Sequence, residues 1–114
     1  MNVNEYLEAT RCVSSAKFGI FGEFLSVRPK IICGDGLILS VQASEGHYCL
    51  PCENDGPYTA VEIGFPSDVI PEIMEWAETP STPTETVYGC VPVEVVDAVI
   101  AAHGGIVNTP QVVR

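Results

Sequence analysis

From Ile31 to Val113 the chain contains neither lysine nor arginine. Arg11, Lys17, Arg28 and Lys30 lie in the head, and Arg114 closes the sequence. A duplex, an RNA or an anionic bilayer is therefore an unsuitable partner, because affinity for phosphate surfaces comes from Lys and Arg that release counter-ions. No apolar run approaches the roughly 18–20 residues needed to span a bilayer. Met1–Tyr6 lacks the basic and apolar regions of a secretory leader, so a cytoplasmic chain is the expectation. The cysteines do not come in an even set. Cys12, Cys33, Cys49, Cys52 and Cys90 fit free thiols in a reducing compartment better than a disulfide framework. Internal repeats and low-complexity segments are also lacking.

What the body has instead is carboxylate. Asp35, Glu45, Glu53, Asp55, Glu62, Asp68, Glu72, Glu75, Glu78, Glu85, Glu94 and Asp97 all fall in the base-free stretch, and the whole chain carries a formal charge of −10. Such a body cannot neutralise itself through ion pairs and projects a negative field outward. A basic protein surface is its natural complement. At 114 residues and 46% hydrophobic content the chain is expected to form one domain with a thin but real core.

The apolar spacing predicts a small α+β domain over residues 1–106, with 107–114 as a C-terminal tail. A mainly antiparallel sheet of three to four strands is expected to carry two to three helices. A short helix is expected over Asn4–Thr10, capped by Asn2 or Asn4. Glu23–Cys33 reads as a strand interrupted by Pro29, and Gly34-Asp35-Gly36 as a tight turn. Leu37–Ala43 alternates cleanly and should pair with both its predecessor and Thr59–Phe65. A helix over Asp68–Glu78 is expected, with Ser67 as its cap and Pro71 near its start. Thr86–Val91 is a short fourth strand. Pro92 opens a last helix that runs to His103 and stops at Gly104-Gly105.

Two constellations invite a functional reading. Asp68, Glu72, Glu75 and Glu78 recur at steps of four, three and three, which would set four carboxylates along one side of a helix. The plain alternative is a solvated face. Solvated faces normally mix signs, because opposite charges at i, i+4 stabilise helices. The sharper alternative is a partner-binding surface shaped like a nucleic acid, with Glu85, Glu94 and Asp97 as additions. The second constellation is His47-x-Cys49-x-x-Cys52 in the long connection Ser44–Tyr58. These three make a candidate ligand site, either for zinc with Cys33 or His103 as the fourth ligand, or for a sequestered small molecule such as a nucleotide. As a nucleophile Cys49 has His47 two positions away as a possible base, but no oxyanion-hole motif or orienting third group is recognisable, and as a redox pair Cys49 and Cys52 lack a helix N-terminus. Gly34-x-Gly36 is no phosphate loop, since it lies in a turn with no lysine after it. No cofactor is implied. Tyr48, Tyr58 and Trp76 are candidate interface anchors or core residues.

Leu39–Ser44, His47-Tyr48-Cys49, Gly56–Pro66, Tyr88–Pro92 and His103-Gly104-Gly105 together resemble small orphan accessory proteins of tailed bacteriophages and prophages. The resemblance spans roughly residues 5–106 and carries no assigned chemistry. It implies an accessory protein acting in a bacterial cytoplasm. By analogy with small acidic phage proteins, the expected function is non-enzymatic inhibition of a host defence complex, of anti-CRISPR or anti-restriction type. A virion or assembly component, in which acidity serves solubility and a homo-oligomeric edge does the binding, is a further reading.

Overall fold

The computed structural model of the chain describes residues 1–10 and 28–108. Arg11, Lys17, Arg114, Cys12, the Glu23–Val27 part of the expected first strand and most of the expected tail lie outside the described residues.

Alternating apolar positions in the 37–43 segment make the central strand, β2 (Ile38–Gln42). It pairs antiparallel with β1 (Ile31–Ile32) and with β3 (Ala60–Gly64), and β3 pairs antiparallel with β4 (Val87–Pro92). The order β1-β2-β3-β4 is a simple meander. The register sets Leu39 opposite Ile31, Val41 opposite Ile63, and Val61 opposite Val91. Cross-strand partners share a face, so these residues form one apolar sheet surface. Val3, Tyr6 and Leu7 of α1 (Val3–Thr10) join the same core, as do Val96, Val99 and Ile100 of α2 (Val93–Ala102). Each such side chain contributes about 1.5–3 kcal/mol on burial. The expected α+β class is what the chain adopts.

Local signals fix the helix ends. The Asn2 carboxamide accepts the N–H of Glu5, and the Glu5 carboxylate accepts the N–H of Asn2, both at 2.8 Å. This reciprocal pair is a capping box, with Asn taking the role of Ser or Thr. Asn4 is used differently: its carboxamide donates to the Tyr58 carbonyl and accepts the Tyr58 N–H. Gly104 and Gly105 hold φ of 98° and 79° and end α2 as their sequence suggests.

Two expectations need correction. Among the described residues of the strand expected over Glu23–Cys33, Ile31–Ile32 form strand and Arg28–Lys30 have no regular structure. Pro29 has no N–H to give a ladder, and Arg28 turns inward to the neighbouring backbone. The helix expected over Asp68–Glu78 is a six-residue 3-10 helix, Pro71–Trp76. Residues before a proline are pushed to extended conformations, and Ile70 lies at φ −117°, ψ 98°. The Ser67 hydroxyl accepts the N–H of Ile38 instead of capping a helix. Ala77 is already extended and bridges to Tyr88. Ile70 and Ile73 still reach the core, with Met74, Trp76 and Ala77 packed against it.

Both sheet edges are covered. Ile106 bridges to Cys33, and the N–H of Val107 and the carboxamide of Asn108 bond β1. Ala77 and Glu78 lie along β4. Covered edges suppress strand addition by other chains.

Candidate functional site

The acidic surface comes first. Asp68, Glu72, Glu75, Glu78, Glu85 and Glu94 are all exposed, while Asp97 is half-buried. Because the helix is short and of 3-10 type, only Glu72 and Glu75 share a helical ridge, about 6 Å apart at three residues per turn. Asp68 and Glu78 lie outside it, so the four-carboxylate helical stripe is not formed. Exposed carboxylates instead occur on α1, the β1–β2 turn, the 45–55 loop, the 68–85 segment and α2. Among the described residues the only Lys or Arg besides Lys30 is Arg28, and it is buried. Its Nε donates to the Leu7 carbonyl at the end of α1, and its Nη1 donates to the Ala43 carbonyl. The described surface is thus almost purely anionic.

Asp97 differs from the other six. Its carboxylate accepts the N–H of Val3 at 2.8 Å and ties α1 to α2. Sequence reasoning placed it on an outward face, and nothing local in the sequence marks so distant a partner.

The 44–58 loop holds the second constellation. His47 Nδ1 bonds Ser44 Oγ at 2.6 Å, within a tight turn in which the His47 N–H also donates to the Ser44 carbonyl. The Cys49 thiol is buried and donates to the Ser44 and Pro51 carbonyls. The exposed Cys52 thiol faces the Glu45 and His47 carbonyls. The His47 ring and the two thiols therefore bond hydroxyl and carbonyl groups of the loop rather than one another. Among the described residues no three His, Cys, Asp or Glu side chains form a group able to hold a metal ion. Cys33, offered as a fourth ligand, is buried in the core, and His103 pairs with Asp35 at 2.6 Å. Burial pushes the Cys49 thiol up in pKa, so it stays protonated and weakly nucleophilic at neutral pH. Burial likewise holds His47 below the ordinary histidine value.

A bulge in β4 anchors this loop. Pairing passes from Val61–Val91 to Ile63–Tyr88, so Gly89 and Cys90 together oppose Glu62. Cys90 takes φ 54°, in the left-handed region. Its N–H donates to the Tyr48 carbonyl, and the Tyr48 N–H donates to Glu62 Oε1 at 2.9 Å. A Cβ on Gly89 would stand 3.3 Å from the Cβ of Tyr48, so the glycine lets the loop lie down on the bulge. Neither the bulge nor the role of Glu62 was foreseen, although the Gly89-Cys90 pair inside a short strand was an available signal.

A cleft of about 520 Å³ opens between α1 and the 54–58 segment, lined by Leu7, Arg28, Asn54, Pro57 and Tyr58 among others. Glu5 and Glu8 stand on the same lining, and Lys30 does not. With Arg28 hydrogen-bonded to backbone carbonyls and two carboxylates nearby, the cleft is poorly built for a phosphate-bearing ligand. Arg11 and Lys17, the other bases of the head, lie outside the described residues.

Among the described residues no helix is long and apolar enough to cross a membrane. Comparison with known proteins finds no matching family, no similar curated protein and no similar solved structure.

Proposed function

We propose that this chain is a non-enzymatic binding protein that docks onto a basic protein surface. The observation that carries this reading is the near-absence of exposed cationic side chains from the described surface, beside twelve exposed carboxylates in the same residues. A single exposed ion pair contributes only about 0–1 kcal/mol. The summed field acts over a Debye length of about 8–10 Å and speeds encounter with a cationic partner. Because the carboxylates are spread over several elements, the field supplies attraction and orientation more than a shaped replica of a nucleic acid. The resemblance to phage accessory proteins directs the proposal to a host nucleic-acid-handling defence complex, whose basic groove the protein would occupy.

Reversal of charge along the 68–78 segment tests this. Glu72→Lys, Glu75→Lys and Glu78→Lys together change the local charge by six without touching the core. The native protein, immobilised at low salt in bacterial lysate, is expected to retain nucleic-acid-handling proteins that elute along a salt gradient. The triple variant is expected to retain them at least tenfold less. Equal retention of the same proteins by the variant at low salt defeats the reading.

A further inference from the structure

The acidic field attracts any cation, so selectivity must come from somewhere else on the surface. Cys49 is fully inside, at 3% exposure, while its neighbours Tyr48 and Leu50 are 62% and 52% exposed. The N–H of Cys49 donates to the His47 carbonyl at 3.0 Å, which closes a tight turn about Tyr48 and turns the Cys49 side chain inward. Tyr48 and Leu50 are the large apolar side chains that this loop leaves on the outer surface. They do not belong to a loosely held loop. The Tyr48 backbone is fixed at both ends, to Glu62 and to Cys90. Leu50 is bridged to Ala60, its N–H donating to the Ala60 carbonyl while its own carbonyl accepts the N–H of Thr59. An exposed aromatic and an exposed aliphatic on a pinned backbone lose little conformational freedom on binding, which is what interface anchors require. The same loop exposes Glu45, Glu53 and Asp55. An apolar centre with a charged rim is the anatomy of a docking surface.

We infer that Tyr48 and Leu50 are the apolar anchors of a docking surface for a basic segment of another protein that also carries apolar side chains. Apolar side chains of such a segment would pack on Tyr48 and Leu50, and its Arg or Lys side chains would meet the carboxylates of the same loop. This inference rests on the acidic-docking reading and adds the residues that make it selective.

Two synthetic peptides of equal charge separate the two ideas: four Arg-Leu repeats and four Arg-Gly repeats, both blocked at the ends. They are titrated into ¹⁵N-labelled full-length protein at low salt. The Arg-Leu peptide is expected to bind at least tenfold tighter, with the largest shifts at the Tyr48, Cys49 and Leu50 amides. The double variant Tyr48→Ala, Leu50→Ala is expected to bring it down to the Arg-Gly level. Both residues are exposed, so the variant should keep its dispersed amide spectrum. Equal affinity of the two peptides for the native protein, with shifts scattered over all the acids, overturns the anchors and leaves acidic docking standing. Persistence of the Arg-Leu preference in the double variant also overturns them. Failure of both peptides to bind removes the acidic-docking reading itself. Light scattering completes the test: a native dimer that the double variant dissolves would show that a second copy of this chain, not a basic segment, covers the surface.

Discussion

The carboxylate of Asp97 on α2 accepts the backbone N–H of Val3, the first residue of α1, at 2.8 Å across 94 positions of sequence. The first N–H groups of a helix have no partner within it, and a carboxylate near a helix N-terminus also meets the positive end of the dipole. Asp97 therefore anchors the start of α1 at the distance where its Val3, Tyr6 and Leu7 side chains enter the core.

That relationship separates two roles for one residue. Hydrogen bonds to charged groups contribute about 1.5–3 kcal/mol, and partial exposure places this one at the lower end. Asp97→Ala is expected to lower unfolding free energy by about 1.5 kcal/mol, read as a drop in the urea midpoint with an unchanged slope. Asp97→Asn keeps an acceptor oxygen and is expected to lose less than half of that. An alanine variant with the native midpoint would show that the bond contributes nothing, and Asp97 would return to the pool of docking carboxylates.

Gly34 and Gly104 offer a second test. A Cβ at Gly34 would stand 2.9 Å from the Gly104 carbonyl oxygen, a distance real Cβ contacts essentially never show. Both sides of this contact are backbone, so neither can move aside like a side-chain tip. The approach lets the β1–β2 turn cap the end of α2: the N–H of Gly34 donates to Gly105, and the N–H of Asp35 donates to His103. Gly34→Ala must open this joint and is expected to cost about 2 kcal/mol or more, the upper part of the range for overpacking. Amide exchange should accelerate at residues 34 and 35 before it does so in β2 and β3. Native-like exchange at both amides would mean that the turn and helix can separate without penalty.

The parts of the fold legible in sequence are those dictated by short-range pattern. Alternation at 37–43 and 59–65 set two central strands, and Pro92 with Gly104-Gly105 bracketed α2 to within a residue. The 68–78 segment reads as a longer helix because Ser67 offers a cap and Ile70, Ile73, Met74 and Ala77 fall at helical spacing. Pro71 and the extended residue before it hold the competing signal, and the apolar demands of Ile70 and Ile73 are met by a single short turn. The outward pair Tyr48 and Leu50 was only partly legible. Tyr48 stood among the aromatics worth noting, but its exposure depends on the β4 bulge and on Glu62, contacts formed over 14 positions and more. Arg28 shows the same limit. A lone arginine beside Pro29 looks like a surface base until the carbonyls of Leu7 and Ala43 close around it.

The last prediction concerns acid. Burial holds the His47 imidazole below its ordinary value, with Arg28 acting in the same sense and Glu62 opposing both. The unfolded chain, whose histidine titrates near about 6.5, then binds more protons than the folded one as pH falls through that value. Stability must therefore decline from pH 7.5 downward and level off once both states are protonated. Asp35 works in a separate window. The N–H of Leu37, and after it His103, hold its carboxyl below the usual range. Its contribution is present above the ordinary aspartate value of about 3.9 and is lost as pH drops through the lower folded value. Urea unfolding at half-unit steps from pH 8 to pH 3 should thus show two descents. His47→Gln is expected to flatten the descent between pH 7.5 and 5.5 and leave the acid one in place, while Asp35→Asn does the reverse. A His47→Gln profile that keeps the native slope across the upper window would show that His47 titrates alike in both states, and that the Ser44–His47 turn opens freely to water.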